Sequence, residues 1–204
     1  MRRRDLLASL ALAPLGLLHA GPAAAAPPTA ADQPDLARLL DYLNNLHSLR
    51  ARFEQVAADG GVSRGTVWME RPGRIRFQYD PPTPLLLIAG HGEVYFHDFQ
   101  LNQTSTVPLG RTPLSILLAE RITFSGPVTV TDVQRQPNEI QVSLVRSANP
   151  GEGLLALVFT DNPLSLWQWT VVDAQHKITR VTLSNMQLGG HFEDNLFTWA
   201  TPSR

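Results

Sequence analysis

The feature that most constrains the fold is a long series of short segments in which apolar residues take every second position. Glycine, proline, asparagine and aspartate separate the segments, as at Asp59-Gly60-Gly61, Pro72-Gly73 and Asp80-Pro81-Pro82. This pattern is typical of short strands linked by tight turns. It predicts strands at 49–56, 62–71, 74–79, 85–89, 93–98, 103–107, 128–135, 139–147, 154–160, 165–173 and 177–186, and a last short piece at 196–199. Consecutive strands with such links predict a meandering antiparallel sheet, which must curl because strands twist.

Two leucine-rich helices are predicted beside this sheet. Asp32 suits the N-cap of the first helix and Pro34 its first turn. Its apolar stripe consists of Leu36, Leu39, Leu40, Leu43 and Leu46. Midway through the sheet, Thr112 and Pro113 predict the N-cap and first position of a short apolar helix. Because both stripes need burial, the sequence predicts a mainly β fold with helices: an incomplete, half-open antiparallel β-barrel of about eleven strands with a helical lid over an apolar cavity.

The N-terminal residues have the composition of a secretory signal peptide. Three arginines at positions 2–4 precede an apolar run from Leu6 to Leu18, and alanines at 23–25 suit cleavage by a signal peptidase. The apolar run is too short to span a bilayer. We therefore expect a cleaved signal peptide at 1–25, one domain at 26–204, and a soluble exported protein. The general secretory and twin-arginine routes both stay open.

Composition excludes several classes of protein. The chain has 17 basic and 18 acidic residues, and this balance does not favour nucleic acid as a partner. Its hydrophobic share of 43% argues against a disordered chain. The chain has no cysteine. This excludes disulfides, thiolate metal sites and lipid attachment through an N-terminal cysteine.

Catalytic motifs are scarce. Residues 61–65 fit the G-x-S-x-G pattern of a hydrolase, but the nucleophile elbow needs a strand before the serine and a helix after it. Here a glycine-rich turn precedes Ser63 and a strand-like sequence follows. No histidine pair has metal-ligand spacing, and no nucleotide-binding glycine motif occurs. We therefore predict no enzyme, no cofactor and no metal, and keep a hydrolase acting through Ser63 as an alternative that Ser63→Ala tests.

Arg71 stands out because it ends an otherwise apolar row. Val67, Met69 and Arg71 share one face of their strand. Burial of a guanidinium is costly unless its donors find acceptors. Two interpretations stay open: Arg71 extends to water at the end of its strand, or it reaches over the cavity rim to carbonyl groups of a helix lying across it.

The run from Gly65 to Tyr79, which reads GTVWMERPGRIRFQY, resembles the core motif of the periplasmic lipoprotein carrier family, LolA. Other segments agree in the same order: Ala51–Gln55 with the first strand, Val94–Asp98 with the aromatic strand, then Leu101–Gln103, Thr112–Leu114 and Leu117–Ala119. The resemblance covers residues 35–120 well, and beyond Val128 it is mainly a strand pattern. One turn departs from the family, which often has Asp-Gly where this chain has Gly90-His91-Gly92.

The resemblance implies a half-barrel whose cavity takes the acyl chains of lipoproteins in the periplasm. It implies three partners: acylated lipoproteins, an ATP-driven inner-membrane transporter that delivers them, and an outer-membrane receptor that accepts them. A monomer is the simplest form for such a shuttle. The arginine of the family's R-P motif, here Arg71, would hydrogen-bond the lid in its closed, empty form. The cavity and lid residues would be Leu43, Trp68, Met69, Ile75, Phe77, Leu114 and Leu117.

A second function of the same fold stays open. A periplasmic sensor that binds lipoproteins or lipids and regulates the envelope would share the half-barrel. Such sensors usually carry an additional domain, for which 204 residues leave no room. The lipid-anchored receptor of the same fold is excluded because this chain has no cysteine.

Overall fold

The computed structural model describes residues 27–199, which form one eleven-stranded antiparallel sheet with two helices. The strands are β1 (Ser48–Val56), β2 (Val62–Glu70), β3 (Arg74–Tyr79), β4 (Leu85–Gly90), β5 (Glu93–Asp98), β6 (Gln103–Pro108), β7 (Val128–Gln136), β8 (Glu139–Arg146), β9 (Gly153–Asp161), β10 (Leu164–Asp173) and β11 (Ile178–Leu188). The eleven predicted strands are confirmed. The predicted signal peptide, residues 1–25, lies outside the described residues.

The sheet consists of two meanders joined edge to edge. Its strand order is β6-β5-β4-β3-β2-β1-β11-β10-β9-β8-β7. The pairing of β1 with β11 joins the two meanders and brings residues such as Phe53 and Leu183 side by side. Strands β6 and β7 form the two free edges, so the sheet of the described residues is open, as the half-open barrel prediction requires.

Helix α1 (Gln33–Asn45) precedes the sheet and covers one face of it, which we call the inner face. Leu36, Leu39 and Leu43 are its buried residues, and they follow the predicted stripe. The predicted N-cap position is confirmed, because Asp32 directly precedes α1 and Pro34 lies in the first turn, but the Asp32 side chain does not cap the helix. Asp32 belongs to a short 3-10 turn, and its carboxylate accepts hydrogen bonds from the amide and hydroxyl of Thr29, at 2.7 and 2.8 Å.

Helix α2 (Leu114–Leu117) lies in the segment that connects the two edge strands. Thr112 does not cap it as predicted, because its hydroxyl donates 2.8 Å to the carbonyl of Leu109 in the preceding 3-10 turn. The helix buries Ile116 and Leu117. This small hydrophobic helix belongs to the same core as α1.

The C-terminal segment, residues 189–199, crosses the opposite face, which we call the outer face. Arg76 donates 3.1 Å to the carbonyl of Leu196, and the Phe197 ring is buried. A Cβ on Gly90 would lie 2.5 Å from the Phe197 carbonyl, so only glycine allows this approach. The short strand predicted at 196–199 is wrong, because Asp194–Phe197 forms a 3-10 helix.

The main core lies between the inner face and the two helices. Strand alternation brings Val67, Met69 and Ile75 to this face, and each is fully buried. Gly65 is required nearby, because a Cβ there would lie 2.1 Å from the Gln78 carbonyl and 2.7 Å from the Phe53 ring. Close packing at this point sets the positions of the residues that form the site.

Candidate functional site

Arg71 follows the last residue of β2 and is buried against both helical elements. Its Nη1 donates to the carbonyl of Leu43 near the end of α1, at 2.5 Å, and its Nη2 donates to the carbonyl of Glu120 beyond α2, at 3.3 Å. The residue is only 8% exposed. Of the two interpretations offered by the sequence, the geometry agrees with the arginine that reaches the helical lid.

The charge of Arg71 is held by neutral partners. Burial lowers the pKa of its guanidinium below the ordinary value. Among the described residues no carboxylate lies in ion-pair contact with it, and its Nε is buried without a hydrogen-bond partner. A buried donor without an acceptor costs free energy, so the closed arrangement is stabilised less than a fully paired arginine would allow.

Backbone hydrogen bonds continue the contact between the end of β2 and the helical elements. The Arg71 amide donates to the carbonyl of His47, just beyond α1, and the Gly73 amide donates to the carbonyl of Leu118, just beyond α2, both at 2.8 Å. We call α1 together with residues 112–124 the lid. The turn that follows β2 is therefore an attachment point that both parts of the lid share.

The described residues also form an apolar cavity of about 210 Å³. Both meanders contribute to it, with Phe77, Leu87 and Val94 on one side and Trp169, Val171, Thr179 and Val181 on the other. Gln55 lies between them, and Thr112, Pro113 and Leu114 cover them. Residues at the start of α2 thus line a hydrophobic space between the two halves of the sheet.

The structure brings most of the predicted site residues together, in two layers. Phe77 and Leu114 line the cavity. Leu43 and Leu117 of the lid and Met69 and Ile75 of the sheet are fully buried in the core and do not line the cavity itself. These four residues therefore belong to the core between the lid and the inner face of the sheet.

Trp68 is the predicted cavity residue that the structure places elsewhere. It alternates with Val67 and Met69, so its side chain lies on the outer face. The Arg50 guanidinium stacks over its ring at 5.8 Å. Trp68 therefore has no place among the cavity residues of this closed form.

Sequence reasoning missed the half of the cavity that comes from the second meander. Trp169 and Val181 face each other across β10 and β11, and both are buried. Each lies in a predicted strand, 165–173 or 177–186, but the strand pattern alone does not place it in the cavity. The cavity position depends on the pairing of β1 with β11, which no local signal shows.

The family comparison agrees with this geometry. Residues 44–200 match the family described as outer membrane lipoprotein carrier protein LolA. The chain belongs to this family. It is 25% identical to the outer-membrane lipoprotein carrier protein of Methylococcus capsulatus over 175 residues, which cover 81% of this chain and 83% of that protein. It is 26% identical to the carrier protein of Chromohalobacter salexigens over 174 residues, which cover 81% and 82%.

A solved structure of a LolA superfamily protein from Nitrosomonas europaea is also similar. It has a TM-score of 0.43 and 11% identity, and the match covers 80% of this chain and 97% of that one.

The other motifs of this LolA-family chain have structural positions. Ser63 lies inside β2, opposite Gln55 of β1, and not at a strand-to-helix turn. Within residues 27–199, no cluster of three or more His, Asp or Glu side chains is placed to hold a metal ion. No helix in the same range combines the length and apolar character needed to cross a membrane.

A larger cleft of about 550 Å³ opens between α1 and the edge strand β7. Leu36, Leu40 and Phe124 line it together with polar groups such as Gln33 and Thr129. This mixed lining suits acyl chains less well than the smaller cavity under α2, whose surface is almost entirely apolar. We therefore take the space under α2 as the candidate site.

Proposed function

We propose that this LolA-family protein is a periplasmic carrier for the acyl chains of lipoproteins. It would accept a lipoprotein from an ATP-driven inner-membrane transporter and pass it to an outer-membrane receptor. The observation that carries the proposal is the buried Arg71 side chain, which attaches both parts of the lid over an apolar cavity. The carrier proteins to which the chain is similar support this choice of cargo.

A soluble carrier needs such a cavity because acyl chains leave a membrane reluctantly. Each buried methylene is worth about 0.8 kcal/mol, so one long chain contributes on the order of 10 kcal/mol. A lipoprotein with two or three chains would not cross an aqueous compartment unaided on a useful timescale. The inner face of the sheet supplies the apolar surroundings that lower this barrier.

The small volume of the cavity supports a closed, empty form of the carrier. An apolar space of about 150 Å³ holds one benzene molecule. The space of about 210 Å³ under α2 is of that order and is far too small for a long acyl chain. Cargo would therefore enter only after Leu114 and its neighbours in the lid move away from Phe77 and Trp169.

The attachment of the lid must be weak enough to open and strong enough to favour release. Hydrogen bonds from a charged donor contribute about 1.5 to 3 kcal/mol each. Arg71 makes two of them in the closed form and leaves its Nε unpaired. The apparent affinity for cargo decreases when fewer molecules are open. A resting lid that is mostly closed therefore keeps the cargo affinity moderate. A moderate affinity favours handover to a receptor. No step of this cycle needs a catalytic group or a cofactor.

Displacement of a neutral fluorescent probe tests the proposal. N-phenylnaphthylamine is bound to residues 26–204, and a synthetic triacylated lipopeptide or the same peptide without acyl chains is then added. We expect displacement by the acylated peptide alone. Equal displacement by both peptides, or by neither, would contradict an acyl-chain site and reopen the sensor and hydrolase alternatives.

Two neighbouring residues of β11 supply a matched pair for locating the site. Thr179 lines the cavity, whereas Ile178 alternates to the outer face and is 50% exposed. Thr179→Phe fills part of the cavity and should weaken probe binding. Ile178→Phe adds the same ring outside and should leave probe binding unchanged. Equal effects of the two substitutions would place the probe away from the cavity.

A further inference from the structure

Asn44, in the last turn of α1, pairs with a backbone peptide of the other part of the lid. Its Nδ2 donates to the carbonyl of Ile122, and its Oδ1 accepts from the amide of Ile122, both at 3.0 Å. The same Nδ2 also donates 3.0 Å to the carbonyl of Leu40 within α1. The side-chain amide thus holds the Ile122 backbone by a donor and an acceptor at once.

The position of this pair relates it to Arg71. Asn44 follows Leu43, and Ile122 lies two residues after Glu120. The carbonyls of Leu43 and Glu120 are the two acceptors of Arg71, and they belong to different parts of the lid. The Asn44 pair therefore fixes the distance between the two acceptors that the Arg71 guanidinium must reach together.

We propose that Asn44 is a positioning residue of the lid, which joins α1 to residues 118–124 so that both parts close and open on Arg71 as one body. The inference rests on the proposed function for its consequence, cargo release, but not for its geometry. Only a side chain with a donor and an acceptor on one plane can pair with a peptide group in this way. Aspartate keeps the acceptor and loses the donor, and alanine loses both.

The first test is the affinity for N-phenylnaphthylamine. In Asn44→Ala the Glu120 carbonyl is no longer held for Arg71, while the bond to Leu43 remains. The closed form weakens, more molecules are open, and affinity should rise about two- to tenfold. Asn45 is the matched control, because within residues 27–199 its Nδ2 bonds only the Asp41 carbonyl of its own helix. Asn45→Ala should leave the affinity unchanged.

The second test uses the pH dependence of Asn44→Asp. At neutral pH its carboxylate would face the Leu40 and Ile122 carbonyls without a donor, so the variant should behave like Asn44→Ala. Protonation restores a donor, and these carbonyls favour the protonated form and raise the pKa of the introduced acid. Its affinity should therefore return toward the wild-type value as the pH falls, whereas that of Asn44→Ala should not.

Other charged groups near Asn44 must be separated from this effect. Asp41 on α1 and Glu120 and Arg121 on the facing segment line the cleft beside it, and Arg71 approaches from β2. All of them are present in Asn44→Ala and in Asn45→Asp. The pH effect attributed to position 44 is thus the part that only Asn44→Asp shows.

The third test asks whether the lid moves as one body. Hydrogen exchange is measured at the Ile122 amide, which Asn44 binds directly. Arg71→Leu should open the lid but leave Ile122 protected, because the Asn44 pair lies within the moving body. Asn44→Ala should speed exchange at Ile122.

Three results would overturn the inference. Fast exchange at Ile122 in Arg71→Leu would show that the two parts separate when the lid opens. A lower melting temperature of Asn44→Ala with unchanged probe affinity would reduce Asn44 to a fold-stabilising residue. If the probe affinity of Asn44→Asp does not return toward the wild-type value at low pH, the need for a hydrogen-bond donor at position 44 is contradicted. If wild-type protein binds the probe but not the acylated peptide, the proposed cargo fails, while the exchange and pH tests still decide the role of Asn44.

Discussion

The two ends of α1 are attached to the sheet by different physics. Near its start, Asp35 and Arg38 form a network of exposed ion pairs with Arg135 of β7 and Asp161 of β9. Near its end, the Leu43 carbonyl accepts from the buried guanidinium of Arg71, which has no carboxylate partner among the described residues. One end depends on screened charges and the other on buried geometry.

The two ends of α1 therefore respond to different conditions. Exposed ion pairs contribute little at equilibrium, and salt weakens them. Buried hydrogen bonds are hardly screened, but they fail when a donor and an acceptor separate by a fraction of an ångström. The start of α1 is therefore a tolerant anchor, whereas its end is an attachment that either holds or releases.

The largest expected difference between the two ends lies in packing. Leu43 is fully buried, whereas Leu36 is 7% exposed and borders the open cleft beside β7. Leu43→Ala should lower the free energy of unfolding by about 2 to 5 kcal/mol, because a cavity remains in a close-packed region. Leu36→Ala should lower it by less, because part of its surroundings is already open. Chemical denaturation of both variants measures the difference, and equal losses would contradict the contrast.

The next largest effect is expected from Arg71→Leu, which releases the end of α1 and leaves its start attached. Loss of two charged hydrogen bonds should raise the apparent affinity for N-phenylnaphthylamine about tenfold or more, and salt should not change this ratio. The variant should bind acylated lipopeptide and transfer it poorly to receptor. Normal transfer by the variant would remove Arg71 from the mechanism.

The parts of the fold that depend on local signals could be predicted from the sequence. Turn residues and alternation located the eleven strands, and the leucine spacing located α1, because both signals are local. The pairing of β1 with β11 escaped prediction, since it joins residues far apart in the chain. Asp32 occupies the predicted N-cap position without a side-chain cap bond, and Thr112 does not cap α2, because both side chains bond to residues of the preceding turns.

The site was predictable where a residue contradicts its surroundings. Arg71 is a charge at the end of an apolar row, and one of the two interpretations of this conflict was a bond to carbonyl groups of a helix lying across the cavity rim. Asn44 gave no such signal, because a polar residue near the end of a helix is ordinary. Trp68 was misassigned because the resemblance to the family implied a cavity position, whereas its alternation with Met69 places it on the outer face.

A smaller effect is expected at the ion-pair end. Arg135 bonds both Asp35 and Asp161 and so joins β7 to α1 and to β9. Arg135→Gln should lower the melting temperature slightly at low ionic strength, and high salt should remove the difference from wild type. Probe affinity should stay unchanged, since the end of α1 is still held. A salt-independent loss would show that this network is not the screened anchor described above.

The smallest effect is expected at Asp161, and it should depend on pH. Hydrogen bonds from Arg38 and then from Arg135 hold the pKa of its carboxyl below the ordinary 3.8. A carboxyl with a lowered folded pKa stabilises the protein above the unfolded value, and this stabilisation is lost as the pH falls through the folded pKa. Asp161→Asn should therefore be slightly less stable than wild type at neutral pH, and the two melting temperatures should converge below about pH 4. The melting temperatures of Arg71→Leu and wild type should not converge in this way, because no carboxylate among the described residues holds that end of α1. If the melting temperatures of Asp161→Asn and wild type still differ in acid, packing and not charge holds the start of α1.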